Sequence, residues 1–409
     1  MGAENAQVIV IGAGPIGTVA ARCAAEAGAS VLLVDRRADL DRSSPCTGLV
    51  SPRTLSMLDV SSDCVLREIR AVTVHAPDGS TLDLASVHTK AVVIDRNRVE
   101  RELHDKARIA GVAIRLATEA VSASDNGIVL RSAGGLRTVI APIVVGADGP
   151  GGRVASWFGL SPPERFVCAA QAVAEARDPA PPDRVELFLG RDVAPGFFAW
   201  AVPAEGRTLR LGLGVAPEHD PAPYLDRLLA AHYPGARILS RTGGRIPVSP
   251  APCAASDGVL LVGDAAGQVK PLSGGGLYPG AVCARIAGRI AAEVARPGGS
   301  GRRAALAYES EWRSAVGREI AFGRSVRRVC EMLSDRDLNA ALAACDDSDL
   351  LAFLAEHSDI DRFHRLPDDL AAHPSLWGKV LRLVPLVASG EIADLPDRFP
   401  IVSEPRLSL

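Results

Sequence analysis

The stretch that most constrains this chain is Val8-Ile-Val-Ile11 running directly into Gly12-Ala-Gly14-Pro15-Ile-Gly17. Four apolar residues in a row, without alternation, suit a strand buried on both faces of a parallel sheet. Small residues from Thr18 to Ala27 then read as a helix that ends at Gly28. Ser30 to Val34 reads as a second buried strand, closed by Asp35-Arg36-Arg37. A G-x-G-x-x-G string alone is a weak signal, but here it has its whole strand–turn–helix–strand context. The first glycine permits the tight turn, the second lets a pyrophosphate approach the backbone, and the third lets helix pack closely on strand. The helix N-terminus offers free N–H groups and the positive end of its dipole to the phosphates. Asp35, 23 residues after Gly12, is placed to accept a hydrogen bond from a ribose 2′-OH and to repel a 2′-phosphate. The loop, with Gly12, Gly14, Pro15, Gly17 and Asp35, is therefore expected to hold an ADP moiety. Arg36 is either a solvated neighbour or a guanidinium stacked on adenine.

Composition narrows the rest. Of 409 residues, 47% are hydrophobic and 23% charged, so a large core can form and general disorder is excluded. The net charge of −3 gives no general attraction to nucleic acid. No apolar run reaches the roughly 18 residues that span a bilayer. The first residues show no basic stretch leading to a cleavage site, so a cytoplasmic protein is expected. The eight cysteines and eight histidines are scattered, with no C-x-x-C pair and no zinc-like spacing, so no metal site is expected. Lysine occurs only at 90, 106, 270 and 379, which draws attention to Lys270 inside a glycine-rich segment.

Along the chain, Arg98 to Ala110 reads as a helix, and Val112 to Leu116, Gly127 to Ser132 and Thr138 to Val145 read as strands. Between Phe166 and Val215 the pattern changes to short runs divided by Pro and Gly, as in an antiparallel sheet. Pro223 to His232 reads as a helix, Gly258 to Val262 as a buried strand and Pro279 to Ala295 as a long helix. Three more helices are expected at about 302–333, 336–356 and 375–389, the last with an apolar segment from Leu376 to Ala388 that is either core or membrane-facing. The expected fold is α/β: a Rossmann-type cofactor domain (1–165 and 251–300) interrupted by an inserted antiparallel β substrate domain (166–250), then a C-terminal helical region (301–409).

Two later sites choose the dinucleotide. Val144-Val-Gly-Ala-Asp148-Gly149 and Val262-Gly263-Asp264-Ala-Ala-Gly267 are strand-end turns that carry a carboxylate. A carboxylate at such a turn can accept hydrogen bonds from a sugar-alcohol chain, which FAD has and NAD lacks. Pro271-Leu-Ser-Gly274-Gly275-Gly276 then precedes a long helix, where backbone N–H groups can stabilise negative charge at the edge of a flavin ring.

Together these elements resemble the FAD-binding pattern of the flavoprotein hydroxylase superfamily. Within it, the chain is most similar to the geranylgeranyl reductase family. Pro45-Cys46-Thr47-Gly48, Asp95-Arg96, Gly196-Phe-Phe198-Ala-Trp200-Ala-Val-Pro203 and Gly267-Gln-Val-Lys270-Pro271 through Tyr278 carry that likeness. Phe198 stands where that family usually has Tyr, Val202 where it has Phe, and the cysteine loop continues Thr-Gly-Leu. The resemblance implies that Gly12, Gly14, Gly17 and Asp35 hold the ADP half, with Asp148 and Gly149 beside it. It implies Arg96 at the pyrophosphate, Gly263 and Asp264 at the ribityl segment, and Gly275 and Gly276 at the flavin. Cys46, Thr47 and Gly48 would lie near the flavin, with Phe198, Trp200 and Pro203 lining an apolar substrate cavity. Lys270 is either a surface residue or one that reaches the flavin or a substrate carboxylate. Cys46 and Tyr278 are the candidate proton donors.

The implied activity is FAD-dependent reduction of C=C bonds in an isoprenoid or similarly apolar substrate. No second G-x-G-x-x-G module is present, so NAD(P)H would dock transiently or a small electron carrier would supply electrons. The expected partner is a prenyl-lipid or another apolar small molecule, with room for peripheral membrane contact, and no oligomeric state follows from the sequence. Two alternatives remain open at this point: an FAD monooxygenase acting on an aromatic compound, and a non-catalytic flavoprotein carrier of prenyl lipids. A halogenase fits poorly, because only one Trp of its aromatic element is present and only Lys90 could serve as its lysine.

Overall fold

A computed structural model describes residues 4–39, 46–124, 127–177 and 181–380. Its centre is a six-stranded sheet in the order 255–256, 259–261, 143–146, 8–11, 31–34 and 113–115. Every pairing in it is parallel except the one between Ala255–Ser256 and Val259–Leu261. Val8–Ile11, Val31–Val34 and Ile143–Gly146 are buried along their whole length, as unbroken apolar runs require. The helices Pro15–Glu26 and Leu277–Val294 lie against each other beside this sheet. They can do so because Gly288 has no side chain: a Cβ there would lie 2.4 Å from Ala20 O and 2.8 Å from Cys23 Cβ.

A seven-stranded sheet forms the second body, in the order 237–247, 166–175, 208–215, 199–203, 184–188, 71–75 and 81–85. Its middle strands match the antiparallel reading. The sheet also takes in Ala71–His75 and Thr81–Ala85, from earlier in the chain, and Ala71–His75 pairs in parallel with Arg184–Phe188. The edge strand Arg237–Pro247 escaped the sequence reading because it is polar, mostly exposed and contains Gly243-Gly244. The helix Pro221–His232 covers one face of this sheet, packing Leu225, Leu228 and Leu229 against Ala170, Ala172 and Leu211.

Three element boundaries differ from expectation. The strand read over 138–145 is two strands, Gly135–Ile140 and Ile143–Gly146, in different sheets. Pro142 between them has no N–H to continue a ladder. The helix read over 336–356 breaks into Asp335–Cys345 and Ser348–His357, because the Asp347 side chain caps the second by accepting from Asp349 N and Leu350 N. The helix read over 302–333 contains a π-turn at Arg313–Gly317. Of the last expected helix, only Pro374–Leu376 and Trp377–Val380 fall within the described residues. The remainder of the 375–389 segment lies outside them, as does Pro45.

The C-terminal region is fastened to the cofactor body. Tyr308 and Trp312 are fully buried, and Tyr308 Oη donates to Leu261 O at 2.7 Å while accepting from Gln268 Nε2 at 2.9 Å. Filling the helix contact should be costly. Gly288→Val is expected to lower unfolding stability by about 1–3 kcal/mol, read as a fall of several degrees in melting temperature. An unchanged melting temperature would contradict this packing.

Candidate active site

The dinucleotide turn is built by close approach. Gly12 adopts φ +107°, and a Cβ on it would lie 2.2 Å from Ala147 O. A Cβ on Gly17 would lie 1.8 Å from Gly12 O. Around Gly14, by contrast, there is open space for a ligand at the backbone. The helix Pro15–Glu26 starts there with no side chain capping its N-terminus, so its first N–H groups are available to an anion. Asp35 is buried, its Oδ2 accepting from Ala13 N at 2.7 Å and its Oδ1 from Arg37 N at 2.8 Å. Arg37 Nε and Nη2 also donate to its Oδ1 and Oδ2, each at 3.3 Å, so the protein itself occupies the roughly four acceptor sites of this carboxylate.

Arg36 is exposed, and it is its neighbour Arg37 that works in the turn. Arg37 donates to Ala13 O at 3.0 Å and to Glu100 Oε2 at 3.0 Å, and pairs with Asp35. Glu100 also accepts from Arg96 Nη2 at 2.9 Å. His104 Nε2 lies 2.9 Å from Ala13 O, so that nitrogen carries the proton, and burial pushes the imidazole pKa down. Arg37, Glu100 and His104 were missed by sequence reasoning. The one available signal was the four-residue spacing from Arg96 to Glu100 on a helix.

Asp264 and Gly276 meet on the far side of the cradle: a Cβ on Gly276 would lie 2.9 Å from Asp264 Oδ1. Gly263 sits at φ +63° against Ile16, which brings the Asp264 turn to the first helix. Desolvation raises the Asp264 carboxyl to about 6, against the pull of Arg96. Asp148 Oδ2 accepts at 3.0 Å from Val154 N, the first N–H of the short helix Val154–Trp157, while Gly149 (φ +81°) borders open space. Burial raises the Asp148 carboxyl as well.

The Cys46 loop reaches across to the seven-stranded sheet. Cys46 is half-buried, its Sγ accepts from Gly48 N at 3.4 Å, and Arg96 shares a hydrogen bond with it. Thr47 Oγ1 donates to Gln171 Oε1 at 3.1 Å. Arg210, another residue the sequence reading passed over, donates from Nη1 to Thr47 O at 2.6 Å and Ile94 O at 3.0 Å. Its guanidinium fills the space where a Gly48 side chain would stand.

Phe198 and Trp200 belong to one aromatic cluster. Phe197 stacks on Phe198 at 4.3 Å and Phe198 meets Trp200 edge-on at 5.9 Å. Trp200 packs against Gly212, where a Cβ would lie 2.5 Å from its ring, and its buried Nε1 has no partner among the described residues. Leu49 and Ile360 pack against the same apolar cluster, which also includes Ile69, Val93, Val185 and Val202. Phe197 Cζ lies 3.6 Å from where a Gly274 Cβ would stand, so the cluster adjoins the glycine-rich loop. Pro203 does not join it: strand alternation carries Pro203 to the opposite face, with Ala199 and Ala201.

Lys270 also departs from expectation. Its methylene stem lies beside Gly275, but its ammonium is taken up by Asp361 Oδ1 at 2.8 Å and Ile360 O at 2.7 Å. Asp361 is buried and also accepts from Ser51 Oγ. Lys270 therefore ties the C-terminal region to the loop and does not offer a free cation to substrate. Tyr278 is half-buried and faces a small pocket with Glu319, Asp361 and His364.

The open backbone at Gly14, the uncapped helix, the Asp264 carboxyl and the buried Arg96 Nε without a partner fit FAD. Residues 5–234 match the FAD binding domain family. A digeranylgeranylglycerophospholipid reductase from Methanothrix thermoacetophila is 32% identical over 361 residues, covering 84% of this chain and 92% of that protein. The chain belongs to this reductase family. A second such reductase, from Methanothermobacter thermautotrophicus, is 31% identical over 84% of the chain and 92% of its own length. Among solved structures, a geranylgeranyl bacteriochlorophyll reductase-like protein from Thermoplasma acidophilum superposes with a TM-score of 0.80 at 22% identity, over 94% of this chain and all (100%) of that one. The p-nitrophenol 4-monooxygenase of Pseudomonas putida shares the fold at 17% identity and a TM-score of 0.68, over 89% of this chain and 98% of its own. This member of the reductase family is thus an FAD-dependent oxidoreductase. No helix among the described residues is long and apolar enough to cross a membrane, and no cluster among them could hold a metal ion.

The Asp264 environment predicts a pH signature in the apoprotein. With a folded pKa near 6 against an ordinary 3.8, the folded state keeps a proton that the unfolded chain has released. Its stabilising effect is complete below about 3.8 and lost as pH rises through 6. Apo Asp264→Asn should match wild type near pH 4 and exceed it by about 2–3 kcal/mol above pH 7. A difference that does not change with pH would contradict this.

Proposed function

We propose that this protein reduces the C=C bonds of a geranylgeranyl-type chain carried by a lipid. The observation that supports this most strongly is the aromatic cluster of Phe198 and Trp200, which packs Leu49 and Ile360 and adjoins the glycine-rich loop. An unactivated alkene has no carbonyl to polarise, so the protein's contribution is to position it and exclude water. FAD, once reduced, supplies the hydride equivalent. Gly275 and Gly276, at the start of the helix Leu277–Val294, would direct backbone N–H groups at the flavin edge that gains negative charge.

The second hydrogen arrives as a proton, and Cys46 is better placed to give it than Tyr278. The Cys46 loop is bonded to the substrate sheet through Thr47 and Gln171, and Leu49 from the same loop joins the aromatic cluster. Tyr278 opens instead toward Glu319 and His364 under the C-terminal helices. Arg96 and Arg210 hold the Cys46 loop in place. NAD(P)H or a small electron carrier would reduce the flavin between turnovers, and a lipid substrate would bring the protein to a membrane surface without a spanning helix.

Purified protein should be yellow and release FAD on denaturation. Mass spectrometry of prenyl lipids incubated with the reduced enzyme should show products heavier by two hydrogens per bond. Cys46→Ala should slow this by about 10²-fold, and Tyr278→Phe far less. Hydroxylated products, or none across chain lengths and head groups, would overturn the proposal.

A further inference from the structure

A group of arginines stands at the outer end of the aromatic cluster. The helix Arg318–Met332 packs tightly on the glycine-rich loop, since a Cβ on Gly323 would lie 3.0 Å from Pro271 Cδ. It carries Arg324, Arg327 and Arg328. Arg327 is buried, with its guanidinium 4.9 Å from the centre of the Phe197 ring and its Nη2 donating to Gly196 O at 3.0 Å. Its Nε lies 2.9 Å from Glu331 Oε1 as an ion pair without hydrogen-bond alignment. Arg165, just before the strand Phe166–Glu175, pairs with the other oxygen of Glu331 at 2.8 Å. Arg324 and Arg328 are exposed and have no hydrogen-bond or ion-pair partner among the described residues. Of the four guanidiniums, only Arg165 and Arg327 are paired, and they share the Glu331 carboxylate. Partial desolvation and the like charges of Arg328 and Arg165 push the Arg324 pKa down, and burial with Arg165 does the same to Arg327.

An unbroken line of contacts connects this group to the aromatic cluster, from Arg327 to Phe197, Phe198 and Trp200. Its two ends differ in chemistry: one is apolar and aromatic, the other cationic with two forks unoccupied. An amphiphile with a prenyl tail and an anionic head matches both ends at once, because the planar guanidinium pairs phosphate oxygens two at a time. We infer that Arg165, Arg324 and Arg328, braced by the buried Arg327, bind the phosphate-bearing head group of the lipid whose prenyl chain lies along Phe198 and Trp200. This inference rests on the proposed prenyl-lipid function and adds the residues that select the head group.

The test is equilibrium binding to the oxidised holoprotein by calorimetry, in one nonionic detergent, with geranylgeranyl phosphate, geranylgeraniol and inorganic phosphate as probes. Substitutions go at Arg324 and Arg328 because Arg165 also holds Glu331. Wild type should bind the prenyl phosphate at least about tenfold tighter than the alcohol, and Arg324→Gln/Arg328→Gln should bring that ratio close to one. A wild-type ratio near one, or a ratio kept by the double variant, overturns the inference. Inorganic phosphate binding as tightly as the prenyl phosphate overturns it too, because the aromatic path would then contribute nothing. No turnover is needed. A protein that prefers the phosphate but leaves double bonds intact keeps this site and loses the reductase reading. One that saturates prenyl chains without head-group preference does the reverse.

Discussion

Everything in this molecule is arranged around a contact too close for any side chain: the backbone of Gly12 against Ala147 O, and Gly17 against Gly12 O. That contact draws the ends of the strands Val8–Ile11 and Ile143–Gly146 together under the start of the first helix, which is left uncapped. An uncapped helix end beside an open Gly14 has orphan N–H groups that an anion satisfies at no conformational cost. With FAD held at this turn as proposed, the Asp264 turn, the glycine-rich loop and the aromatic cluster would lie along it.

Charge then ties the separate pieces together. Arg37, Glu100 and Arg96 form a chain of ion pairs leading from Asp35 at the glycine turn, and Arg96 ends it with a hydrogen bond to Cys46. On the opposite flank, Lys270, Asp361 and Ser51 link the glycine-rich loop, the C-terminal region and the segment after the Cys46 loop. Removing one partner of such a buried pair is strongly destabilising, because it leaves an uncompensated charge. These links therefore hold the site in register more than they add net stability.

Legibility in the sequence followed the range of the physics. The turn at 12–17 and the buried runs around it could be read because glycine conformation and strand burial are local demands. The Asp264 and Gly274–Gly276 segments were readable for the same reason. The pairing of Ala71–His75 with Arg184–Phe188 was not, since it joins residues more than a hundred positions apart. Lys270 shows the limit most clearly. Its place in the glycine-rich loop was legible, but its partner, Asp361, lies 91 residues on and carries no local signal. Pro203 was misplaced because a motif was read as a unit where the strand pleat divides it between two faces.

The fold alone leaves the chemistry open, since a nitrophenol monooxygenase shares it. What separates the readings is the fate of electrons held by the flavin. The most direct measurement is an anaerobic single turnover: holoprotein reduced chemically, freed of reductant, mixed with a geranylgeranyl lipid and followed by flavin absorbance. The oxidised spectrum should return with stoichiometric saturation of double bonds and no oxygen present. A flavin that stays reduced until oxygen is admitted would contradict it.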